Sequence, residues 1–224
     1  MGTKHTLDLE NIPRELVLLL NLLEEDSSTI SKKQLSPINW DHFLTLTRHH
    51  RLFPLLHKKL KYQESIPSFV KEYIANEYRR NTFQMLQLSA EMENISKLFT
   101  EDKINVLFLK GPNLGHDLYG DISLRTSNDL DILIPIKDLP KAEALLVKEG
   151  FEKDDYIETI LGDWTWRHHH VTFFHPQKGI KVEIHWRLNP GPSLEPSFQE
   201  MWSRKRVSTL ASYPIYILGK EDLL

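Results

Sequence analysis

The sequence contains no cysteine among its 224 residues, which excludes disulfide bonds and metal sites built from thiolates. It also lacks a long hydrophobic run. The longest, LVLLLNLL over residues 16–23, is far shorter than the roughly 20 residues that a membrane-spanning helix needs. The first ten residues, MGTKHTLDLE, have no apolar segment of the kind that a signal peptide contains. These absences favour a protein of the reducing cytoplasm with no part embedded in a membrane.

An excess of charge of one sign is absent as well. The 28 lysines and arginines stand against 31 acidic residues, and the formal net charge is -3 at pH 7. Because no broad basic surface results, a protein that wraps duplex DNA is not expected. Hydrophobic residues make up 40% of the chain, which is enough for a buried core in one or two modest domains.

The hydrophobic pattern of the first part, residues 1–102, predicts helices. Across residues 68–104 apolar residues recur every three or four positions, and neither glycine nor proline interrupts them. This spacing predicts one long helix. Shorter helices are predicted after Pro13 and from Ser36 onward, and Pro54 should break or kink the second of these.

From residue 103 to residue 224, short apolar segments replace the long helical pattern. Helices are expected over 112–120 and 138–149, and a hairpin turn over 176–179. Strands are predicted over residues 106–109, 129–134, 151–157, 164–174, 180–186 and 213–218. A helical N-terminal region followed by strands and helices indicates an α+β protein. The last residues, GKEDLL, are typical of a helix start, so we expect a helical region to follow Leu224.

Two acidic residues lie on one of the predicted strands. Asp129 and Asp131 are two positions apart, so both carboxylates point to one face, while Leu130 and Ile132 point into the core. Neighbouring carboxylates repel each other unless a cation or a shared proton relieves them. Mg²⁺ does this and is commonly held by one or two carboxylates together with substrate phosphates. A solvated strand face that carries two acids is the simpler alternative.

The surroundings of this pair favour chemistry on phosphate. Lys110 and Gly111 end an upstream strand before a short helix, whose free N–H groups and positive dipole end form a phosphate site. A third acid, Glu183, lies on a later strand and shares a face with His185. A glycine turn before a helix, a pair of strand acids and a third acid together indicate two-metal phosphoryl chemistry.

These elements, in this order, resemble the uncharacterised bacterial branch of the DNA polymerase β-type nucleotidyltransferase superfamily. The resemblance covers roughly residues 38–224. The matching elements are Lys110–Gly111, Tyr119, Arg125, DLDILI from Asp129, EIHW from Glu183 and, in the helical leader, WDHF from Trp40 and HRLFPLL from His50.

The resemblance implies a polymerase β-like core, a small mixed β-sheet with flanking helices. It also implies a nucleoside triphosphate such as ATP, and two Mg²⁺ ions, with Mn²⁺ as the alternative. Asp129, Asp131 and Glu183 would be both the metal ligands and the catalytic residues. The expected reaction moves a nucleoside monophosphate to an acceptor hydroxyl or phosphate.

Further residues are expected around the nucleotide and the acceptor. Four are expected to bind the nucleotide: Lys110, Gly111, Asn113 and Arg125. Lys110 and Arg125 have the alternative of pairing with a nearby acid such as Asp117 or Asp121. His170 and His185 are candidate contacts for the acceptor, which is a small molecule, a peptide or protein, or RNA. For His185 the alternative is an ordinary hydrogen-bonded strand histidine.

One position departs from the superfamily pattern. The glycine of the phosphate turn is usually followed by serine or glycine, whereas this chain has Pro112, which lacks an N–H donor. Asn113 would then supply an amide instead. The departure favours a rival hypothesis, a catalytically weak interaction protein that keeps the nucleotidyltransferase shape as one partner of a two-component system. A phosphohydrolase that uses the same acids is a third hypothesis.

The run His168-His169-His170 lies on a predicted strand that should pair with the strand of Glu183. Consecutive strand residues alternate between faces, so at most two of the three histidines can share one metal ion. Contact with the substrate is favoured over a dedicated metal site.

Overall fold

The computed structural model describes residues 12–24, 35–154, 164–190 and 194–223. The chain forms two compact units, residues 1–81 and 82–224, and the division falls inside a long helix. The predicted domain boundary after residue 102 coincides with the C-terminal end of that helix, and as a domain boundary it stays a prediction. No helix within the described ranges is both long and apolar enough to cross a membrane.

Helices build the described part of the first unit. They are α1 (Arg14–Leu23), α2 (Trp40–His49), α3 (Phe53–Leu60) and the beginning of α4 (Ser68–Glu101). Pro54 lies in the first turn of α3, where its missing N–H has no intrahelical partner to lose. The predicted break is therefore confirmed, but it lies a few residues earlier, where Arg51 takes a left-handed conformation (φ 55°). The long helix α4 is also confirmed.

A buried carboxylate links α1 to the start of α2. Glu15 is 8% exposed. Its Oε1 accepts a hydrogen bond from the backbone N–H of Asn39 (2.9 Å), and its Oε2 lies 3.3 Å from His42 Nδ1. The bond from Asn39 lowers the pKa of Glu15, burial opposes this, and His42 adds to the lowering.

We expect Glu15→Gln to lower the free energy of unfolding by about 1–2 kcal/mol at pH 7, since a charge-assisted hydrogen bond is lost. The folded pKa lies below the unfolded value near 4.5. The stabilisation is therefore present above that value and is lost as the pH falls through the folded pKa. Urea unfolding at several pH values measures this, with Glu72→Gln, an exposed acid on α4, as the control. An equal difference between wild type and Glu15→Gln at all pH values would contradict it.

The described part of the second unit contains a seven-stranded mixed sheet in the order β3-β4-β5-β2-β1-β7-β6. The pairs β2–β5 and β1–β7 are parallel and the other neighbours are antiparallel. The strands are β1 (Leu107–Phe108), β2 (Asp129–Leu133), β3 (Glu152–Lys153), β4 (His170–His175), β5 (Ile180–His185), β6 (Arg206–Ser208) and β7 (Ile215–Ile217). The predicted α+β class with a mixed sheet is confirmed.

Four α-helices follow in the described part of this unit. They are α5 (Pro112–Tyr119), α6 (Leu139–Lys148), α7 (Trp164–Arg167) and α8 (Phe198–Ser203). Three short 3₁₀ turns accompany them, at Ile122–Leu124, Ile136–Asp138 and Lys220–Asp222. The two predicted helices and the hairpin between β4 and β5 are confirmed.

The predicted strand over 164–174 is wrong in its first part. Trp164–Arg167 forms a helical turn, and the strand begins only at His170. The ring of Trp164 packs edge-on against Trp186 at 5.3 Å, and Trp186 Nε1 donates to the carbonyl of Thr165. Such packing overrides a local alternating pattern. The expected strand over 151–157 is observed only at 152–153, and residues 155–163 lie outside the described ranges. Strand β6 had not been predicted.

The two faces of the sheet differ in chemistry. One face carries Leu130, Ile132, Val182 and Ile184, which are buried in a core shared with the later part of α4. Because side chains alternate along a strand, the intervening residues of β2 and β5 point to the other face. Apart from Leu133, which is buried in a separate small hydrophobic cluster, those residues are charged or polar: Asp129, Asp131, Lys181, Glu183 and His185.

Candidate active site

The parallel pairing of β2 with β5 brings the acidic residues together. Asp131 is the register partner of Glu183, and Asp129 is the partner of Lys181. Carboxylate oxygens of Asp131 and Glu183 lie with a ring nitrogen of His185 in a group whose atoms are all within 4.8 Å of one another. Residues that are 52 positions apart in sequence thus line one small polar surface.

Lys181 bridges two acids of this surface, Asp129 and Glu183. Its Nζ lies 3.0 Å from Asp129 Oδ2 and 2.7 Å from Glu183 Oε1. Partial burial opposes the charged form, but the contacts with Glu183 and Asp129 raise the pKa of Lys181 above its ordinary value. The neighbouring His185 imidazole holds the pKa of Glu183 well below its usual range. Burial opposes this lowering, and Lys181 adds to it. Asp129 and Glu183 therefore share one cation already.

His185 lies against Asp131 and Glu183. Its Nε2 is 3.2 Å from Asp131 Oδ1 and 3.6 Å from Glu183 Oε2, and the residue is 6% exposed. Burial works against the protonated ring, yet the contacts with Asp131 and Glu183 raise the pKa of His185. Lys110 Nζ stands 4.0 Å from Asp131 Oδ2, on a side chain that is largely exposed. Lys110, Lys181 and His185 thus surround the three carboxylates.

The turn before α5 has a backbone conformation that favours glycine. Gly111 precedes α5 with φ 79° and ψ -143°, a conformation that is nearly restricted to glycine. Pro112 occupies the first turn of α5, where proline is well tolerated. Arg125 Nη1 approaches the carbonyl of Gly111 at 3.4 Å. We infer that Arg125 helps to hold the turn, whereas Asp117, one of its predicted alternatives, pairs with Arg206 at 2.6 Å.

The side chain of Asn113 is turned into the protein. The residue is 4% exposed, and its Nδ2 lies 2.9 Å from the sulfur of Met92. Its Oδ1 is buried without a hydrogen-bond partner among the described residues. Only the backbone N–H at this position remains for a nucleotide, so the nucleotide contact of Asn113 stays a prediction about the main chain.

Two of the three consecutive histidines lie near His185. Ring nitrogens of His169, His170 and His185 are all within 4.8 Å of one another. His170 pairs with His185 across β4 and β5. His169 precedes β4, so the alternation of side chains between the faces of a strand does not apply to it. Burial lowers the pKa of His169 and of His170, and the neighbouring imidazoles add to the effect.

Comparison with known families identifies the chain. The family described as uncharacterised nucleotidyltransferase matches residues 36–224. The chain belongs to this family. The predicted membership and the enzyme class, a nucleotidyltransferase, are thereby confirmed.

Two solved structures share similarity with this family member. The lincosamide antibiotic adenylyltransferase LnuA, crystallised with lincomycin, is 19% identical over 58% of this chain and 79% of its own, with a TM-score of 0.43. A protein from Thermotoga maritima (TM1012), solved as a candidate nucleotidyltransferase, is 19% identical over 57% of this chain and 74% of its own, with a TM-score of 0.41. A search of curated proteins finds no match.

Sequence reasoning missed Lys181 in this nucleotidyltransferase. The signal was present, because Lys181 stands two positions before Glu183 and must share its face on a strand. What the pattern did not reveal is the register that places Lys181 opposite Asp129.

Proposed function

We propose that this nucleotidyltransferase transfers a nucleoside monophosphate from a nucleoside triphosphate, with ATP the first candidate, to an acceptor hydroxyl or phosphate. Asp129, Asp131 and Glu183 would hold Mg²⁺, or Mn²⁺ in its place. The observation that carries the proposal is the side-by-side pairing of Asp131 and Glu183 on parallel strands, with Asp129 on the same face. Nucleoside triphosphates are abundant in the cytoplasm, where we place the reaction.

The donor set fits such an ion. Three carboxylates offer the hard oxygen ligands that Mg²⁺ prefers. The ammonium of Lys181, held by Asp129 and Glu183, supports the view that this surface accommodates a cation. When bound, Mg²⁺ would neutralise the donor phosphates and activate the acceptor oxygen.

The remaining residues are suited to bind and orient the substrates. The positive-φ turn at Gly111 would let the chain approach a phosphate closely, and the first N–H groups of α5 would act as donors, with one donor lost at Pro112. Lys110 is exposed beside Asp131 and has the reach to contact a phosphate. Most of the rate enhancement would come from positioning and charge stabilisation.

The acceptor would lie on the side of β4. His170 is half-buried and adjacent to His185, so it is the better placed of the two candidate contacts. His185 is buried and already faces Asp131, which suits a role in orienting that carboxylate. Small molecules, peptide or protein side chains and RNA all carry suitable hydroxyl groups.

Lys181 should compete with the metal for Asp129 and Glu183. We expect Lys181→Met to bind Mg²⁺ about tenfold more tightly than wild type without nucleotide, because the variant removes a nearby like charge from the site. Lys181→Arg keeps the charge and should stay close to wild type. Titration calorimetry with Mg²⁺ alone measures this. Equal or weaker Mg²⁺ binding by Lys181→Met would show that Lys181 does not compete with the metal ion.

The proposal is tested by titrating ATP and GTP into the protein with and without Mg²⁺. Metal-dependent heat, followed by transfer of label from α-labelled nucleotide to a component of cell lysate, is the expected result. Label that appears equally with wild type and with the Asp129→Ala/Asp131→Ala variant would remove the enzymatic role.

The second candidate is a catalytically weak interaction protein with the same fold. Two observations favour it: Pro112 removes a phosphate donor, and Lys181 neutralises two of the acids. Such a protein would give no metal-dependent heat with a nucleotide. A phosphohydrolase would bind nucleotide and metal, yet would pass the label only to water.

A further inference from the structure

We propose that His169, His170 and His185 form a second cation site, which takes a transition-metal ion of the Zn²⁺ class and is separate from the carboxylate site. One ring nitrogen of each histidine lies within 4.8 Å of the others. The site requires neither nucleotide nor Mg²⁺, so it goes beyond the proposed transfer reaction.

The spacing of the first two ligands matches the geometry of such an ion. His169 Nε2 and His170 Nδ1 are 3.2 Å apart. Two nitrogens on one tetrahedral Zn²⁺, with bonds of about 2.0–2.1 Å, lie about 3.3 Å apart. The distance between these two ring nitrogens is therefore compatible with one shared ion.

The third ligand is His185, of which one ring nitrogen contacts a carboxylate and the other has no hydrogen-bond partner among the described residues. His185 Nε2 lies 3.2 Å from Asp131 Oδ1, whereas Nδ1 is buried and has no hydrogen-bond partner within the described ranges. A buried polar atom left unsatisfied costs roughly 1–3 kcal/mol. Histidines that bind metal almost always donate their other N–H to a carboxylate or similar acceptor. Asp131 and His185 have this arrangement, and a metal at Nδ1 would satisfy the ring.

The backbone holds the two other histidines beside His185. The carbonyl of His169 accepts a hydrogen bond from the N–H of Trp186, the residue that follows β5. His170 is the register partner of His185 on the neighbouring strand. The rings of His169 and His170 lie 5.4 and 5.0 Å from the ring of His185. The pairing of β4 with β5 thus holds His170 beside His185, and a backbone hydrogen bond holds His169, which directly precedes β4.

The ligand chemistry separates this site from the carboxylate site. Imidazole nitrogens suit Zn²⁺, Co²⁺, Ni²⁺ and Cu²⁺, whereas Mg²⁺ prefers oxygen ligands. Three histidines leave one tetrahedral position open, as in catalytic rather than structural zinc sites. Water or an anionic group of a substrate would occupy that position.

Titration of the full chain with Co²⁺ in excess Mg²⁺ tests the proposal, because Mg²⁺ occupies the oxygen site and tetrahedral Co²⁺ absorbs strongly in the visible range. Wild type should develop this absorption with one equivalent of Co²⁺ and lose it when Zn²⁺ is added. His169→Ala and His170→Ala should each weaken Co²⁺ binding by at least about tenfold. His168→Ala, which alters the neighbouring histidine outside the cluster, should leave binding unchanged.

The proposal is overturned if wild type shows no such absorption, or if the absorption survives in His169→Ala/His170→Ala. It is equally overturned if Asp129→Asn, which alters a carboxylate outside the cluster, abolishes the absorption while the histidine variants retain it. Circular dichroism verifies that each variant is folded. Mg²⁺-dependent nucleotide heat is measured on the same wild-type preparation, so failure of the transferase proposal and failure of the histidine site give separate results.

Discussion

Asp131→Asn and Glu183→Gln are each expected to lower nucleotide transfer by about 10²- to 10³-fold, the range seen when one electrostatic contact to a transition state is removed. The two carboxylates are register partners on β2 and β5 and share the polar face with Lys110 and Lys181. Each substitution keeps the shape of the side chain and removes its negative charge. Metal-dependent binding of the triphosphate should weaken in parallel, because the same oxygens hold the ion.

The matched control is Glu152→Gln, which neutralises an exposed acid on the edge strand β3. It should transfer label at the wild-type rate. Label transfer is measured with α-labelled nucleotide and lysate, and the stability of each variant is measured by urea unfolding. If Glu183→Gln is folded and as active as Glu152→Gln, Glu183 has no part in the chemistry.

Lys178→Met is expected to lower the free energy of unfolding of the second unit by about 2–3 kcal/mol. Lys178 Nζ contacts both carboxylate oxygens of Glu91, at 2.8 and 2.9 Å, and Glu91 is only 5% exposed. Removal of one partner from a buried ion pair leaves an uncompensated charge, which costs roughly 3–5 kcal/mol when both are buried. Lys178 is partly exposed, so solvent screening reduces the expected loss.

The double variant Lys178→Met/Glu91→Leu separates charge from packing. With neither charge present, most of the lost stability should return, since apolar replacements of buried ion pairs are often neutral or stabilising. Lys137→Met, which alters an exposed lysine, is the control and should unfold like wild type. Losses that simply add in the double variant would show that the ion pair is not the cause. Urea midpoints are measured for wild type, Lys178→Met, Glu91→Leu, the double variant and the control Lys137→Met.

Local patterns allowed much of the architecture to be predicted. The alternation of Asp129 and Asp131 with aliphatic residues fixes which face each side chain takes, and the unbroken periodicity of α4 fixes a long helix. The predicted strand over 164–174 is partly wrong because contacts between Trp164 and Trp186, which are 22 residues apart, determine the backbone conformation there. Such contacts leave no trace in a local pattern.

The pairing of strands limits how much of the site can be predicted from the sequence. Alternation places Lys181 and Glu183 on one face, but only the register of β5 against β2 makes Lys181 the partner of Asp129. The burial of Asn113 against Met92 likewise depends on how α5 packs on the later part of α4. The family resemblance supplied the convergence of the acids, because no spacing rule links residues 129 and 183.

Anomalous diffraction from crystals grown with Mn²⁺ and a non-hydrolysable ATP analogue tests the shared carboxylate site most directly. The account predicts an anomalous peak at a bonding distance of about 2.1 Å from oxygens of Asp131 and Glu183, with the Lys181 ammonium displaced from Glu183. A structure with the analogue bound, no peak at these carboxylates and Lys181 still bridging Asp129 and Glu183 would contradict it.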